Sequence, residues 1–142
     1  MPSEFSGIER RLDELSERLT RLESLRTRSR TEFARDPYLR DIVERNLEIA
    51  AQSCIDISHR IISLEGSQKP SDYYEAILKM GTVGALPVDF ARDFASIAGF
   101  RNVLVHDYVN LNWDLVYQHL QEIEDLRIFA DYIRQWLSEA GH

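Results

Sequence analysis

The chain has 142 residues and a hydrophobic content of 44%, which is enough for a buried core but short for several domains. Its formal net charge of −7 argues against a general nucleic-acid coat protein. A single cysteine, Cys54, excludes an internal disulfide and favours a reducing compartment. We therefore expect residues 1–142 to form one domain of a cytoplasmic protein, with no signal peptide and no membrane-spanning segment.

Two long helices are predicted in the first half of the chain. Apolar residues three and four positions apart form one stripe over residues 8–25. The first helix is expected to begin at Ser6, with Glu9 completing a capping box. Asp36-Pro37 is typical of an N-cap followed by the first helical residue, so a second helix is expected from there to about Leu64.

Three further helices are predicted in the second half. Ser71 is expected to cap a short helix from residue 72 to about residue 80. Pro87 should begin the next helix, which continues into residues 99–108. Asn112 should cap a last helix over about 113–140. No segment alternates polar and apolar residues with the two-residue period of a β-strand. The sequence therefore predicts an all-α antiparallel bundle of about five helices.

The second predicted helix carries polar residues among its apolar ones. Asp56 and His59 are three positions apart and can touch. One carboxylate and one histidine do not make a metal site, and no metal is expected here. We expect Asp56 either to orient His59 or to pair with a neighbouring helix, and Cys54 to be a small buried side chain.

Positive charge is concentrated near the N-terminus. Residues 1–45 carry ten Arg and ten acidic residues, whereas the remainder carries seven basic and fourteen acidic residues. Four arginines stand close together with only Glu32 among them: Arg26, Arg28, Arg30 and Arg35. Such a cluster is a candidate for binding an RNA backbone. It is equally typical of a solvated helix end with cations near the negative pole, and the sequence leaves both open.

A short apolar stretch, residues 99–108, contains the residues best suited to phosphate and proton chemistry. Arg101 has a planar fork of donors that suits phosphate oxygens, and His106 exchanges a proton near neutral pH. Asn102 shares a helix face with His106, and Tyr108 shares one with Arg101. The alternative is structural: the arginine and histidine cap helix carbonyls and pair with acids such as Asp107.

Gly99 lies just before these residues. In a helix, glycine costs roughly 1 kcal/mol relative to alanine. This cost is reasonable if another backbone or a substrate comes close just before Arg101. We therefore expect a close approach at this position.

The pattern Arg101-Asn102-x-x-x-His106-x-Tyr108 resembles the Arg-x4-His-x-Tyr signature of HEPN-domain proteins, specifically the HepT-like toxins. The similarity extends beyond the motif: residues 44–50 followed by 56–59 resemble the family's second helix, residues 71–76 its third, and residues 111–117 the start of its last. It covers the chain from about residue 36 to residue 136. The resemblance implies a HEPN-type helical bundle.

The resemblance also implies metal-independent RNA cleavage, in which the 2′-hydroxyl of RNA attacks the adjacent phosphate. His106 would be the general base or acid, Arg101 would stabilise charge on the phosphoryl oxygens, and Asn102 would hold the imidazole or the phosphate. Because one chain supplies one such histidine, a homodimer with a shared groove is expected. The substrate would be tRNA or mRNA, with no cofactor and no membrane partner.

HepT-like toxins are usually encoded beside a small nucleotidyltransferase antitoxin, and the tyrosine of the family motif is its target for adenylylation. The resemblance therefore implies that AMP on Tyr108 disables the site by adding bulk and negative charge. The alternative for Tyr108 is a hydroxyl that lines the groove. Two alternatives also remain for the protein: a non-catalytic nucleotide- or substrate-binding subunit of a nucleotidyltransferase, and a helical partner protein without a site.

Overall fold

The computed structural model describes residues 4–106 and 108–141, apart from the side chain of Tyr108. Within these residues the secondary structure is helical, with no strand, which confirms the predicted all-α class. No helix in this part of the chain is both long and apolar enough to cross a lipid bilayer. The helices are α1 (Ser6–Leu25), α2 (Arg30–Arg35), α3 (Pro37–Leu64), α4 (Tyr73–Thr82), α5 (Val88–Phe94), α6 (Ile97–His106), α7 (Trp113–Gln121) and α8 (Glu124–Glu139), with a 3-10 turn (Tyr108–Asn110) between α6 and α7.

Helix α3 is the element on which the others pack. It spans 28 residues and contacts α1, α2, α4, α6, α7 and α8. Its start is fixed as predicted, because an Asp36 carboxylate oxygen accepts hydrogen bonds from the backbone N–H groups of Tyr38 and Leu39 at 3.0 and 3.2 Å. Its end at Leu64 also agrees with the prediction, and Gly66 follows with φ of 70°.

Helix α1 buries the predicted apolar stripe against α3 and α8. It begins at Ser6 as expected, but its N-cap is Phe5, whose side chain makes no cap hydrogen bond. The predicted capping box is therefore wrong. The Phe5 ring instead packs edge-on against Trp136 of α8, with ring centroids 5.6 Å apart. The residue that precedes α1 is therefore in contact with a helix that is distant in sequence.

Two helix starts differ from the predictions. The N-cap of α4 is Asp72 rather than Ser71, and its carboxylate accepts from the backbone N–H of Glu75 at 2.7 Å. Ser71 instead donates its hydroxyl to the Glu75 carboxylate. The short helix α2 was not predicted, although Ser29 and Glu32 form a complete capping box at its start.

Two predicted helices are each divided in the structure. The helix expected to run from Pro87 into the motif is broken between α5 and α6, where the backbone N–H of Ala98 bonds to the carbonyl of Ala95. The expected last helix is broken between α7 and α8, where the N–H of Glu122 bonds to the carbonyl of His119. Both bonds span three residues, which tightens the turn and redirects the chain without glycine or proline.

The Asp36 cap provides a direct test of how α3 is held. We expect Asp36→Ala to lower the free energy of unfolding by about 1 kcal/mol, because two backbone N–H groups lose their acceptor. Urea denaturation followed by circular dichroism measures this change. Asp13→Ala, on the exposed face of α1, is the matched control and should cost little. Equal effects of the two substitutions would contradict the proposed role of the cap.

Candidate functional site

Helix α6 carries the predicted motif along the boundary between core and solvent. Its inner face is buried against α3 and α4 through four apolar side chains: Ile97, Ala98, Phe100 and Leu104. Arg101 is half-buried beside this face, whereas Asn102 and His106 are exposed. His106 is the last residue of the helix. The packing of α6 therefore keeps the arginine close to the protein body and presents the histidine outward.

The Arg101 guanidinium has two neighbours that fix its direction. Its Nη1 donates to the side-chain oxygen of Asn102 at 3.1 Å. Its central carbon lies 5.3 Å from the ring centroid of Tyr73, the first residue of α4. The Arg101 Nε is buried and has no hydrogen-bond partner among the described residues. This donor is therefore unpaired in the described part of the structure.

The spacing of Arg101 and His106 separates the two side chains. Five positions along a helix correspond to about 7.5 Å of rise and roughly 140° of rotation. That they flank a common groove stays a prediction. The Asn102 side chain accepts a hydrogen bond from Arg101. Its predicted role of holding the imidazole or a phosphate stays a prediction.

Two residues of the motif lie partly or wholly beyond the described residues. The backbone of Tyr108 begins the 3-10 turn that follows α6, but its side chain is outside the described part of the structure. Asp107 is outside it altogether. The predicted adenylylation of Tyr108 and the alternative pairing with Asp107 therefore both stay predictions.

Gly99 does not face a close neighbour among the described residues. A Cβ built at this position meets nothing within 4 Å, so the predicted close approach is not made by the described part of this protomer. Gly99 is exposed and lies three and seven residues before Asn102 and His106. These three residues share the outer face of α6. Because glycine has no side chain, the surface at position 99 is formed by backbone.

Asp56 pairs with a neighbouring helix, as one of the two predictions stated. Its carboxylate lies 3.7 Å from the Arg11 Nε of α1 and accepts a hydrogen bond from Gln52 at 2.9 Å. The His59 ring packs edge-on against Tyr73 at a centroid distance of 5.7 Å. Its Nε2 is buried without a partner among the described residues.

Cys54 is fully buried, which confirms its prediction as a small core side chain. Burial raises the pKa of its thiol well above the ordinary value, because the thiolate would lose its hydration. In the described part of the chain, no three His, Cys, Asp or Glu side chains are arranged to hold a metal ion.

Two of the clustered arginines join the end of α1 and the start of α2 to α7. Arg26 donates to the backbone carbonyl of Gln121 at 2.8 Å, and the Gln121 amide donates back to the carbonyl of Arg26. Arg30 forms an ion pair with Asp114 at 3.0 Å and lies over the ring of Tyr117. These contacts link both arginines to α7, although the Arg30–Asp114 pair is exposed and contributes little to stability.

The side chains of the other two arginines of the cluster form no hydrogen bond or ion pair with α7 among the described residues. Arg28 and Arg35 are exposed, and Arg28 lies 3.4 Å from a Glu32 carboxylate oxygen one helical turn away. An exposed pair of this kind contributes little to stability. Binding of RNA by this cluster stays a prediction, and these two side chains are its best candidates.

Sequence reasoning missed a histidine that supports the motif helix. The His119 ring of α7 stacks on Phe100 of α6, with centroids 3.7 Å apart and planes at 19°. It borders a small pocket that also contains three carboxylates, those of Asp93, Glu122 and Asp125. Burial lowers the pKa of His119, and the nearby charge of Glu122 opposes this shift. No sequence motif includes His119, so its packing role is identified only from its neighbours in the folded structure.

This lowered pKa predicts an acid-dependent loss of stability. The folded protein favours neutral His119, whereas the unfolded chain takes up a proton at about pH 6.5. Stability from this residue is therefore full above that pH and falls as the pH drops below it. We expect His119→Phe to lose less unfolding free energy than the wild type between pH 7 and pH 5, measured by urea titration at each pH.

The raised pKa of Asp125 acts at lower pH and with the opposite sign, because its burial favours the protonated acid. Asp125 is present in both the wild type and His119→Phe, so its contribution cancels when their stabilities are compared at each pH. An equal decline of stability in the wild type and His119→Phe would show that this histidine does not contribute.

Sequence comparisons place this chain among known ribonucleases. A family model described as ribonuclease HepT-like matches residues 15–133, which include the Arg101–His106 motif. A tRNA nuclease HepT of Aphanizomenon flos-aquae is 29% identical over 128 residues, which cover 90% of this chain and 86% of that protein. An mRNA nuclease HepT of Shewanella oneidensis is 29% identical over 105 residues, covering 73% of this chain and 79% of that protein.

A solved structure shares the fold. It is a tri-AMPylated HEPN toxin of Shewanella oneidensis in complex with an MNT antitoxin. The TM-score is 0.82 at 24% sequence identity, over 92% of this chain and 98% of that chain. The HEPN-type helical bundle that the motif implied is therefore confirmed.

Proposed function

The chain belongs to the HepT-like ribonuclease family, and from this premise we propose that it is a metal-independent endoribonuclease toxin. In this proposal Arg101 and His106 cleave RNA at a groove shared by two copies of the chain. A nucleotidyltransferase antitoxin neutralises the toxin by adenylylating Tyr108. The observation that carries the proposal is the state of the motif: a half-buried arginine with a donor unused in the described structure, beside an exposed histidine on the same short helix.

The proposed reaction uses the RNA itself as nucleophile. The ribose 2′-oxygen forms a bond to the adjacent phosphorus, and the bond from phosphorus to the 5′-oxygen of the next nucleotide breaks. One imidazole takes the proton from the 2′-hydroxyl, and a proton is delivered to the leaving 5′-oxygen. Arg101 stabilises the charge that accumulates on the phosphoryl oxygens. The products carry a 2′,3′-cyclic phosphate and a 5′-hydroxyl.

A second copy of the chain supplies what one protomer lacks. Acid and base are both needed, yet each chain offers one His106. The exposed face of α6 that contains Gly99, Asn102 and His106 is the surface on which we place the two-fold axis. Because a Cβ at Gly99 would meet nothing within 4 Å among the described residues, the glycine leaves room there for the proposed partner copy. The two Arg101–His106 pairs then line one groove.

RNA is the substrate class, and its subclass is left open between tRNA and mRNA. Relatives of equal identity are named for each: a tRNA nuclease and an mRNA nuclease. Of the N-terminal arginines, Arg28 and Arg35 are the proposed additional contacts to the RNA backbone. Arg26 and Arg30 belong to the same candidate cluster, but their contacts with α7 make them the weaker candidates.

Adenylylation of Tyr108 would place negative charge directly beside the groove. The tyrosine oxygen attacks the α-phosphate of ATP, and pyrophosphate leaves; the antitoxin supplies this activity. Tyr108 begins the turn immediately after the helix of Arg101 and His106. The tri-AMPylated state of the structural neighbour supports modification of this kind. Repulsion between AMP and the RNA phosphate would then close the site.

Substitution of the two motif residues tests the catalytic assignment. We expect His106→Ala to reduce the rate of RNA cleavage about 10²- to 10⁴-fold and Arg101→Ala about 10²- to 10³-fold, since each removes one catalytic contribution. The measurement is cleavage of total cellular RNA by purified protein, with circular dichroism to show that each variant is folded. Arg92→Ala, an exposed arginine on α5, is the control and should cleave like the wild type. Full activity of either motif variant would refute its role.

A separate experiment tests the modification. Incubation with the purified partner enzyme and ATP should add one or more AMP masses to the wild type but none to Tyr108→Phe. Mass spectrometry of the intact protein measures this. Tyr38→Phe removes a highly exposed tyrosine elsewhere and should be modified like the wild type. AMP on Tyr108→Phe, or an unmodified wild type with active partner, would contradict the assignment.

A further inference from the structure

An open cleft of about 540 Å³ lies between α1 and α3, with Arg101 at its edge. Arg10 and Arg11 of α1 and Arg45 of α3 also line it. The motif arginine therefore belongs to a larger set of four guanidinium groups. The other three arginines are separate from the arginine cluster at the end of α1.

The carboxylates of the cleft hold these arginines only loosely. Glu14 is directed to Arg18, with an Nη2–Oε1 distance of 2.8 Å. Glu48 lies 3.5 Å from Arg45, and Asp56 lies 3.7 Å from Arg11. Long, partly exposed ion pairs of this kind contribute little to stability. Their arginines can readily exchange the carboxylate for a phosphate oxygen.

Two residues that line the cleft each carry a buried polar atom that lacks a partner among the described residues. These atoms are the Arg101 Nε, a donor, and the Gln52 Oε1, an acceptor. Gln52 is held in place because its amide nitrogen donates to Asp56 at 2.9 Å. Four guanidinium groups along one open cleft suit a ligand that offers successive anionic oxygens. A ribose-phosphate chain has this composition.

Resting on the proposed function, we propose that this cleft is a binding site for the single-stranded RNA that leads to the phosphate at Arg101. Arg11 and Arg45 contact backbone phosphates, and Arg10 assists at the rim. The site thereby contributes affinity and register, while cleavage remains with Arg101 and His106.

The length of the cleft fits a strand better than a single small anion. Arg45 and Asp56, the partner of Arg11, are eleven positions apart on α3, which corresponds to about 16 Å. Charges spread over this distance contact successive phosphates rather than one. Four arginines against three carboxylates also leave this cleft positive, in a protein whose net charge is −7.

The test measures binding without cleavage. The His106→Ala protein is titrated against a fluorescently labelled single-stranded RNA at several KCl concentrations. We expect Arg11→Gln and Arg45→Gln each to weaken binding roughly three- to tenfold. Each should also reduce the slope of log K against log salt by about 0.7, the value for one phosphate contact on a single strand.

Two further variants make this test specific. Glu48→Gln removes a carboxylate that competes for Arg45, so it should tighten RNA binding, an outcome that misfolding does not produce. Arg21→Gln changes an exposed arginine of α1 that is paired with Glu17 and does not line the cleft, and it should bind RNA like the parent protein.

The outcomes separate this inference from the proposed function. If the wild type cleaves RNA in a His106-dependent way but the cleft variants bind RNA like Arg21→Gln, the inference is overturned and the function stands. If the cleft variants bind RNA normally and lose affinity for the nucleotidyltransferase instead, the cleft is a protein interface and the inference is likewise overturned. Absence of His106-dependent cleavage would refute the function itself.

Discussion

The packing of α6 against α3 and α4 determines what the motif is able to do. A helix of ten residues that buries one apolar face has little freedom to rotate, so Phe100 and Leu104 fix the direction of every other side chain. Arg101 consequently lies at the edge of the core, and His106 lies in solvent. Burial of the arginine limits its movement and strengthens its interactions with an anion, since fewer water molecules compete. Exposure of the histidine leaves it accessible to substrate.

Helix α4 completes this arrangement through one aromatic ring. Tyr73 lies between the His59 ring of α3 and the guanidinium of Arg101, with centroid distances of 5.7 and 5.3 Å respectively. Tyr73 thereby connects the central helix to the motif helix at the position of the proposed phosphate contact. The cleft between α1 and α3 opens from the same arginine. The proposed catalytic and RNA-binding sites would then share Arg101.

The sequence predicted the elements whose limits are set by local chemistry. Asp36 and Pro37 mark the start of α3 because capping involves residues next to each other in the chain. The breaks after α5 and α7 were missed, since three-residue hydrogen bonds redirect the chain there without glycine or proline. Phe5 was missed for a different reason: its contact, Trp136, is distant in sequence.

The same distinction applies to the candidate site. The motif indicated Arg101 and His106 because their spacing and chemistry are visible in ten residues. The stacking of His119 under Phe100 and the arrangement of arginines between α1 and α3 depend on helices that meet only in the fold. The proposed pairing of two protomers rests on the chemistry alone, because the proposed reaction needs both an acid and a base.

The central claim is that this protein breaks RNA by attack of the 2′-hydroxyl, with protein side chains alone supplying the catalysis. The most direct measurement is analysis of the new RNA ends after incubation of purified protein with total cellular RNA in excess EDTA. The account predicts cleavage with 2′,3′-cyclic phosphate and 5′-hydroxyl ends. Products with 3′-hydroxyl and 5′-phosphate ends, or cleavage that EDTA abolishes, would contradict it.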